Sequence, residues 1–211
     1  MPYTLQSDVE IVNRALQILG DKRIVSLDDG SNAAKEMSST FDLVRDCLIR
    51  SKNWLCCQKE ATVALTGVDE TARLKNEFAL PADCLRVIRV GDDYIAYSGT
   101  SGQYGYVNPW VVRGTRLYTN FSAPLKLVYA YRNRDVKTYD PLFIEALACE
   151  MALALCKRLT DSASLEDMVR RRLREIMADA LHSNALERPA TTMADGNWIA
   201  AKEGELWTDV V

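Results

Sequence analysis

The chain has 211 residues, 48% of them hydrophobic and 26% charged, enough for one sizeable core or a core with a smaller insert. Its 26 Lys and Arg against 29 Asp and Glu leave a net charge of −3, so no global basic field is available to hold nucleic acid. No apolar run approaches the roughly 18–20 residues of a membrane span, and MPYTLQSDVE has neither the basic nor the apolar region of a secretory leader.

The first predicted helix begins at Ser7 in SDVEIVNRALQILG. Ser7 and Glu10 have capping-box spacing, Val9, Val12, Leu16 and Leu19 lie near one face, and Gly20 suits the C′ position. After DKRIVSLDDG a second helix runs from about Ser31 into the low fifties. Its apolar stripe is Met37, Phe41, Val44 and Leu48, with Arg45, Asp46 and Arg50 as the wetter flanks.

After Trp54 the period changes. KEATVALT, Lys59 to Thr66, alternates as a strand does, and Leu74 to Leu80 is a second strand closed by Pro81. Further strands are expected at Cys84 to Val90, Tyr94 to Tyr97, Trp110 to Arg113, Thr115 to Thr119 and Leu125 to Tyr131. Turns at Gly91-Asp92-Asp93 and Arg113-Gly114 make this an antiparallel region of hairpins. In LKLVYAY, Leu125, Leu127, Tyr129 and Tyr131 share one face, and Lys126, Val128 and Ala130 the other.

Helix returns at Asp140, a good N-cap before Pro141 at N1. DPLFIEALACEMALALCKRLT is apolar nearly all round, so this helix is expected to be central and buried. A turn at Thr160 to Ser162 leads to the last helix, with Leu165, Val169, Leu173, Ile176 and Ala180 on one face, and Pro189 stops it. The expected class is α+β: a four-helix core of two helical hairpins, an inserted antiparallel β-rich region and an extended C-terminal tail. Residues 1–57 and 139–188 would form the discontinuous helical core, 58–138 the insert and 189–211 the arm.

Catalytic signatures are sparse. The lone histidine, His182, sits within a predicted helix, and GxSxG, HExxH and the P-loop are absent. Cys47, Cys56, Cys57, Cys84, Cys149 and Cys156 form no CxxC pair and read as reduced, mostly buried thiols. Neither a metal nor another cofactor is expected. Glu77, Asp83, Asp92 and Asp93 leave open a glycan hydrolase built on two carboxylates. The run Arg170, Arg171, Arg172 and Arg174 leaves open a DNA-binding module, although Glu166, Asp167, Glu175, Asp179 and Glu187 share its helix. The alternative for Arg170, Arg171 and Arg174 is ion pairing, within the helix or with a neighbouring subunit. Tyr104 and Tyr106 in the Gly-rich tip, with Trp110, suit a partner surface, because aromatics give large contact area at low entropy cost. Trp198 and Trp207 stand in an aperiodic acidic tail that could dock into a neighbour.

Several stretches in order resemble one family, the tail tubular protein A or head-to-tail adaptor (gatekeeper) proteins of short-tailed bacteriophages. They are IVNRALQILGDKRIVSLDDGSNAA, FDLVRDCLIRSKNW, FALPADCLRVIRV, YDPLFIEALACEMALALCKRLTDSASL and ALHSNALE. The β-insert and the tail after Pro189 match poorly, and Asn184-Ala185 stands where members often have Asp-Ala. The resemblance implies a structural virion protein made in the bacterial cytoplasm, not an enzyme. It implies a twelve-subunit ring bound to the portal above and to a tail nozzle of the tail tubular protein B type below. The ring would help retain packaged DNA and form part of the ejection channel, without sequence-specific DNA contacts or a membrane partner. In related adaptors the C-terminal segment reaches into the portal, which would give Trp198 and Trp207 a portal-binding role. Some members have been proposed to cleave glycans.

Overall fold

The computed structural model describes residues 7–91 and 110–187. These form a mixed α+β chain with four long helices and seven strands in two antiparallel sheets. The helices are α1 (Asp8–Leu19), α2 (Asn32–Ser51), α3 (Pro141–Leu159) and α4 (Ala163–Leu186). The strands are β1 (Gln58–Val63), β2 (Leu65–Val68), β3 (Asn76–Ala79), β4 (Cys84–Val90), β5 (Trp110–Arg113), β6 (Arg116–Thr119) and β7 (Leu125–Tyr131). By packing, the described chain divides into a helical unit, 7–59, 83–88 and 129–187, and a β unit, 60–82, 89–91 and 110–128. The helical unit therefore takes in 58–59, 83–88 and 129–138, which the sequence reading placed with the insert.

Local chemistry sets the helix ends. Gly20 holds φ +75°, and the Asp21 N–H reaches the Leu16 carbonyl at 2.9 Å, which closes α1 as a Schellman turn. Ser31 caps α2 by accepting the Ala34 N–H, and Ser162 caps α4 by accepting that of Leu165. Asp140 accepts the N–H groups of Leu142 and Phe143 at 2.7 and 3.3 Å, with Pro141 beside it at the start of α3. Ser7 occupies the N-cap of α1 but its hydroxyl makes no cap bond, so the expected capping box is not formed. Its φ is −151°, whereas the three residues that do cap lie between −63° and −109°.

Helix α3 is the hub of the helical unit and lies against α1, α2 and α4. Helices α1 and α2 each meet α3 more extensively than they meet one another. Phe143, Ala146, Leu147, Ala148, Cys149, Met151 and Ala152 are completely buried. The first turn of α3 is held by aromatic rings: Phe143 packs edge-on against Trp54 at 5.1 Å and Tyr139 at 4.8 Å. Of the predicted stripes, Val12, Leu16, Leu19, Met37, Phe41, Leu48, Val169 and Ala180 are buried, and Val9, Val44, Leu165, Leu173 and Ile176 pack partly on the same core.

One polar residue overturns its predicted place. Arg45, expected on the wet flank of α2, is 2% exposed. Its guanidinium contacts Asp42 at 2.8 Å and Asp46 at 3.0 Å and lies 5.9 Å from the centre of the Phe41 ring. Asp46 also binds Arg132 at 2.6 Å, and Asp42 lies 3.8 Å from Arg134. The row Arg134–Asp42–Arg45–Asp46–Arg132 alternates in charge, which is how a buried cation is tolerated at this point. Burial alone would lower the Arg45 pKa, but the hydrogen bond to Asp46 and the charges of Asp42 and Asp46 raise it above its ordinary value.

The strands form two sheets, one ordered β1-β7-β4 and the other β2-β3-β6-β5. The predicted strand Lys59 to Thr66 is broken at Ala64, so β1 and β2 belong to different sheets. An alternating pattern cannot reveal a change of partner strand. The strands at Cys84–Val90, Trp110–Arg113 and Leu125–Tyr131 have the predicted limits, while β3 and β6 are shorter than predicted. In the second sheet Phe78 pairs with Leu117 and Leu117 with Val112, placing these three residues in one row. Along β7, Leu125, Leu127 and Tyr129 are buried, as predicted for one face, while Ala130 from the other face joins the helical core. The predicted strand Tyr94 to Tyr97 and the arm 189–211 lie outside the described residues.

The aromatic anchor of α3 should dominate the stability of the helical unit. Phe143→Ala removes a fully buried ring and should cost about 3–5 kcal/mol in denaturant unfolding.

Candidate functional site

Two grooves and an ion-pair node stand out among the described residues. On the helical unit, α1 and α4 line a groove of about 730 Å³. Its apolar lining includes Ile18, Met168, Val169 and Ile176, and its charged lining includes Arg171, Glu175 and Asp179. Met168 is 55% exposed there. This follows from the α4 sequence, whose core stripe consumes Leu165, Val169, Leu173 and Ile176 and leaves Met168 one position off it.

An ion-pair node holds the helices along this groove. Glu145, on α3, receives Arg14 of α1 at 2.8 and 3.1 Å and Arg172 of α4 at 3.0 Å. Burial of Glu145 would raise its pKa, but the hydrogen bonds and charges of Arg14 and Arg172 outweigh that and hold it below the ordinary glutamate value. A second pair, Arg170 with Glu166 at 2.5 Å, spans one turn of α4.

The four arginines of the run are thus divided. Arg170 and Arg172 are paired within the chain, while Arg171 and Arg174 are exposed and make no ion pair among the described residues. By helical spacing Arg170, Arg171 and Arg174 share one exposed sector of α4, in which Arg170 is paired with Glu166. His182 is exposed on α4.

On the β unit, β5 stands at one end of its sheet among the described strands and exposes Trp110 and Val112 to the same extent, 37% each. The residues alternate along the strand, so both stand on one face, opposite Thr119 and Leu117 respectively. A cleft of about 720 Å³ in this unit is lined by Trp110, Tyr118, Arg73, Lys75 and Arg113, among others. The Arg113 guanidinium lies 5.5 Å from the Tyr118 ring centre. Tyr104, Tyr106, Trp198 and Trp207 lie outside the described residues.

The acids considered for glycan cleavage are in ordinary structural roles where they are described. Glu77 binds Arg116 at 2.5 Å. Asp83 accepts the Tyr129 hydroxyl at 3.1 Å and lies 3.5 Å from Lys59. Burial first, then the hydrogen bond to Asp83, raises the Tyr129 pKa to about 12. Asp92 and Asp93 lie outside the described residues.

All six cysteines are free; Cys57, Cys149 and Cys156 are buried, Cys56 and Cys84 half-buried and Cys47 exposed. No group of three or more His, Cys, Asp or Glu among the described residues is placed to hold a metal. None of the helices described is long and apolar enough to cross a membrane.

Two polar braces were not anticipated from sequence. Asn13 grips Ile24 at both backbone groups, donating at 3.0 Å and accepting at 2.8 Å, and so fixes the connection after α1. Asn133 donates to the Cys56 carbonyl and to Thr138, both at 2.9 Å, while its own carbonyl accepts the Tyr139 hydroxyl at 2.8 Å. A single acid in the otherwise apolar PLFIEALA was the available signal for Glu145. For Asn13 and Asn133 no pattern exists, because each answers to backbone groups distant in sequence or irregular in form.

Compared with known protein families and with curated proteins, the chain matches none.

Glu145 gives a test with a defined pH dependence. Glu145→Gln should destabilise the protein by about 1–2 kcal/mol at neutral pH. A carboxyl held low in the folded state stabilises fully above its unfolded value and loses that contribution as pH falls through the folded value. The gap between native and variant unfolding free energies should therefore close below about pH 4.3, and a gap that stays constant to lower pH would contradict the node's ionic character.

Proposed function

We propose that this chain is a head-to-tail adaptor of a short-tailed phage, a structural protein that assembles as a twelve-subunit ring. The ring binds the portal on one side and the tail nozzle on the other, helps retain packaged DNA and forms part of its exit channel. The finer architecture proposed with it is a four-helix core of two hairpins, with the β-rich region and the C-terminal tail as contact arms.

The observation that carries the reading is the ordered set of sequence stretches, from IVNRALQILGDKRIVSLDDGSNAA to ALHSNALE, that resembles the adaptor family. Physical features support it. Trp110 and Val112 stand exposed on β5, which ends its sheet among the described strands, a position suited to lateral contact. Arg171 and Arg174 are exposed on α4 beside Glu175 and Asp179, so a neighbouring subunit can meet that face with either sign of charge. A mildly acidic chain also suits a DNA conduit, since a basic wall would retard a polyanion.

The portal-binding role assigned to the tail is tested by Trp198→Ala combined with Trp207→Ala. The double variant should keep the melting temperature of the native chain and bind isolated portal rings at least about tenfold more weakly, as expected when aromatic anchors worth about 2 kcal/mol or more are removed. Unchanged portal affinity would remove the tail from the interface.

A further inference from the structure

The sequence places two cysteines side by side at Cys56-Cys57, in a single 3₁₀ turn (Leu55–Cys57) that joins α2 to β1. Their sulfurs lie 3.8 Å apart. Cys57 is fully buried and Cys56 is half-buried.

The frame around it is rigid. The Cys57 N–H is tied to the Trp54 carbonyl at 3.0 Å, and the Cys56 carbonyl is held by Asn133 at 2.9 Å. Asn133 is itself fixed by Thr138 at 2.9 Å, by the Asp135 N–H at 3.0 Å and by the Tyr139 hydroxyl at 2.8 Å. The backbone that carries the two thiols is therefore held in place before any ligand binds.

A direct disulfide is a poor alternative for this pair. Adjacent Cα atoms across a trans peptide are about 3.8 Å apart, short of the roughly 4.4–6.8 Å that disulfides span. A bridging atom removes that conflict. The two sulfurs then need only stay near van der Waals contact and do not have to close to the roughly 2.05 Å of a disulfide bond. Their 3.8 Å separation already places them near such contact.

We propose that Cys56 and Cys57 form a vicinal-dithiol site that chelates a soft, thiophilic centre with two exchangeable positions, of the class of monosubstituted trivalent arsenicals. A ligand of this class needs two thiols only, and the turn supplies both from adjacent positions. With a phenylarsonous acid, C₆H₅As(OH)₂, each thiol sulfur forms one As–S bond and each arsenic–oxygen bond breaks. The two thiol protons leave with the two hydroxides as water, and arsenic stays trivalent. The hydrogen bond shared with Cys57 holds the Cys56 thiol pKa below its ordinary value, which favours attack by Cys56, the less buried of the two, as the first step. That same hydrogen bond and burial raise the Cys57 pKa, so its proton is retained until the second hydroxide leaves.

The full chain treated with phenylarsine oxide should take up one arsenical per molecule through this pair, read by intact mass. The adduct should survive an excess of 2-mercaptoethanol and be removed by 2,3-dimercaptopropanol. Cys56→Ser and Cys56→Ala should each weaken capture by about a hundredfold or more, since a chelate contact becomes a single one. Cys47→Ser should leave it unchanged. Circular dichroism on the Cys56 variants separates loss of the site from loss of the fold. Undiminished capture by folded Cys56→Ser, or capture only after the native chain is unfolded, would overturn the proposal.

Discussion

A helix that is apolar nearly all round has no stable existence in water unless most of that surface is covered. Helix α3 imposes that constraint on the helical unit. Its completely buried residues, from Phe143 to Ala152, require α1, α2 and α4 to lie around it. At about 25 cal/mol per Å² of apolar surface removed from water, this burial is the main term that can offset the entropy of ordering four helices. The other interactions refine where α3 sits. Asp140 sets where it begins, Trp54 and Tyr139 grip its first turn, and Glu145 ties it through two arginines to α1 and α4.

The polar braces sit where the apolar packing would otherwise leave register undefined. The alternating row through Arg45 links α2 to the segment after β7, at Arg132 and Arg134. Asn133 links that same segment to the turn containing Cys56. Hydrophobic burial is non-directional, whereas these contacts have fixed geometry. They also supply the rigidity on which the vicinal thiols depend.

Much of this was legible in the sequence because it is written locally. Gly20, Ser31, Asp140-Pro141 and Ser162 marked helix ends through backbone groups within a few residues of themselves. The strands at Cys84–Val90, Trp110–Arg113 and Leu125–Tyr131 were bounded by turns and by alternation. What could not be read depends on partners far along the chain. Arg45 looks like any flank arginine until Arg132 completes the charge row 87 positions later (132 − 45). Ala64 breaks an alternating run because β1 and β2 go to different sheets, a fact of topology rather than of composition. The candidate surfaces were half visible: Trp110 could be singled out as an aromatic, but not as a residue of the strand that ends its sheet among the described ones. The adjacent cysteines were visible as letters, while their convergence required the turn that carries them.

Under the proposed adaptor role, the helical unit supplies the fixed frame, while Trp110, Val112 and the exposed arginines of α4 supply contacts to neighbours. Electron microscopy of the purified chain mixed with portal rings and tail nozzles tests this most directly. The account predicts a twelve-fold ring of this chain seated between portal and nozzle. A chain that remains monomeric and attaches to neither would contradict it.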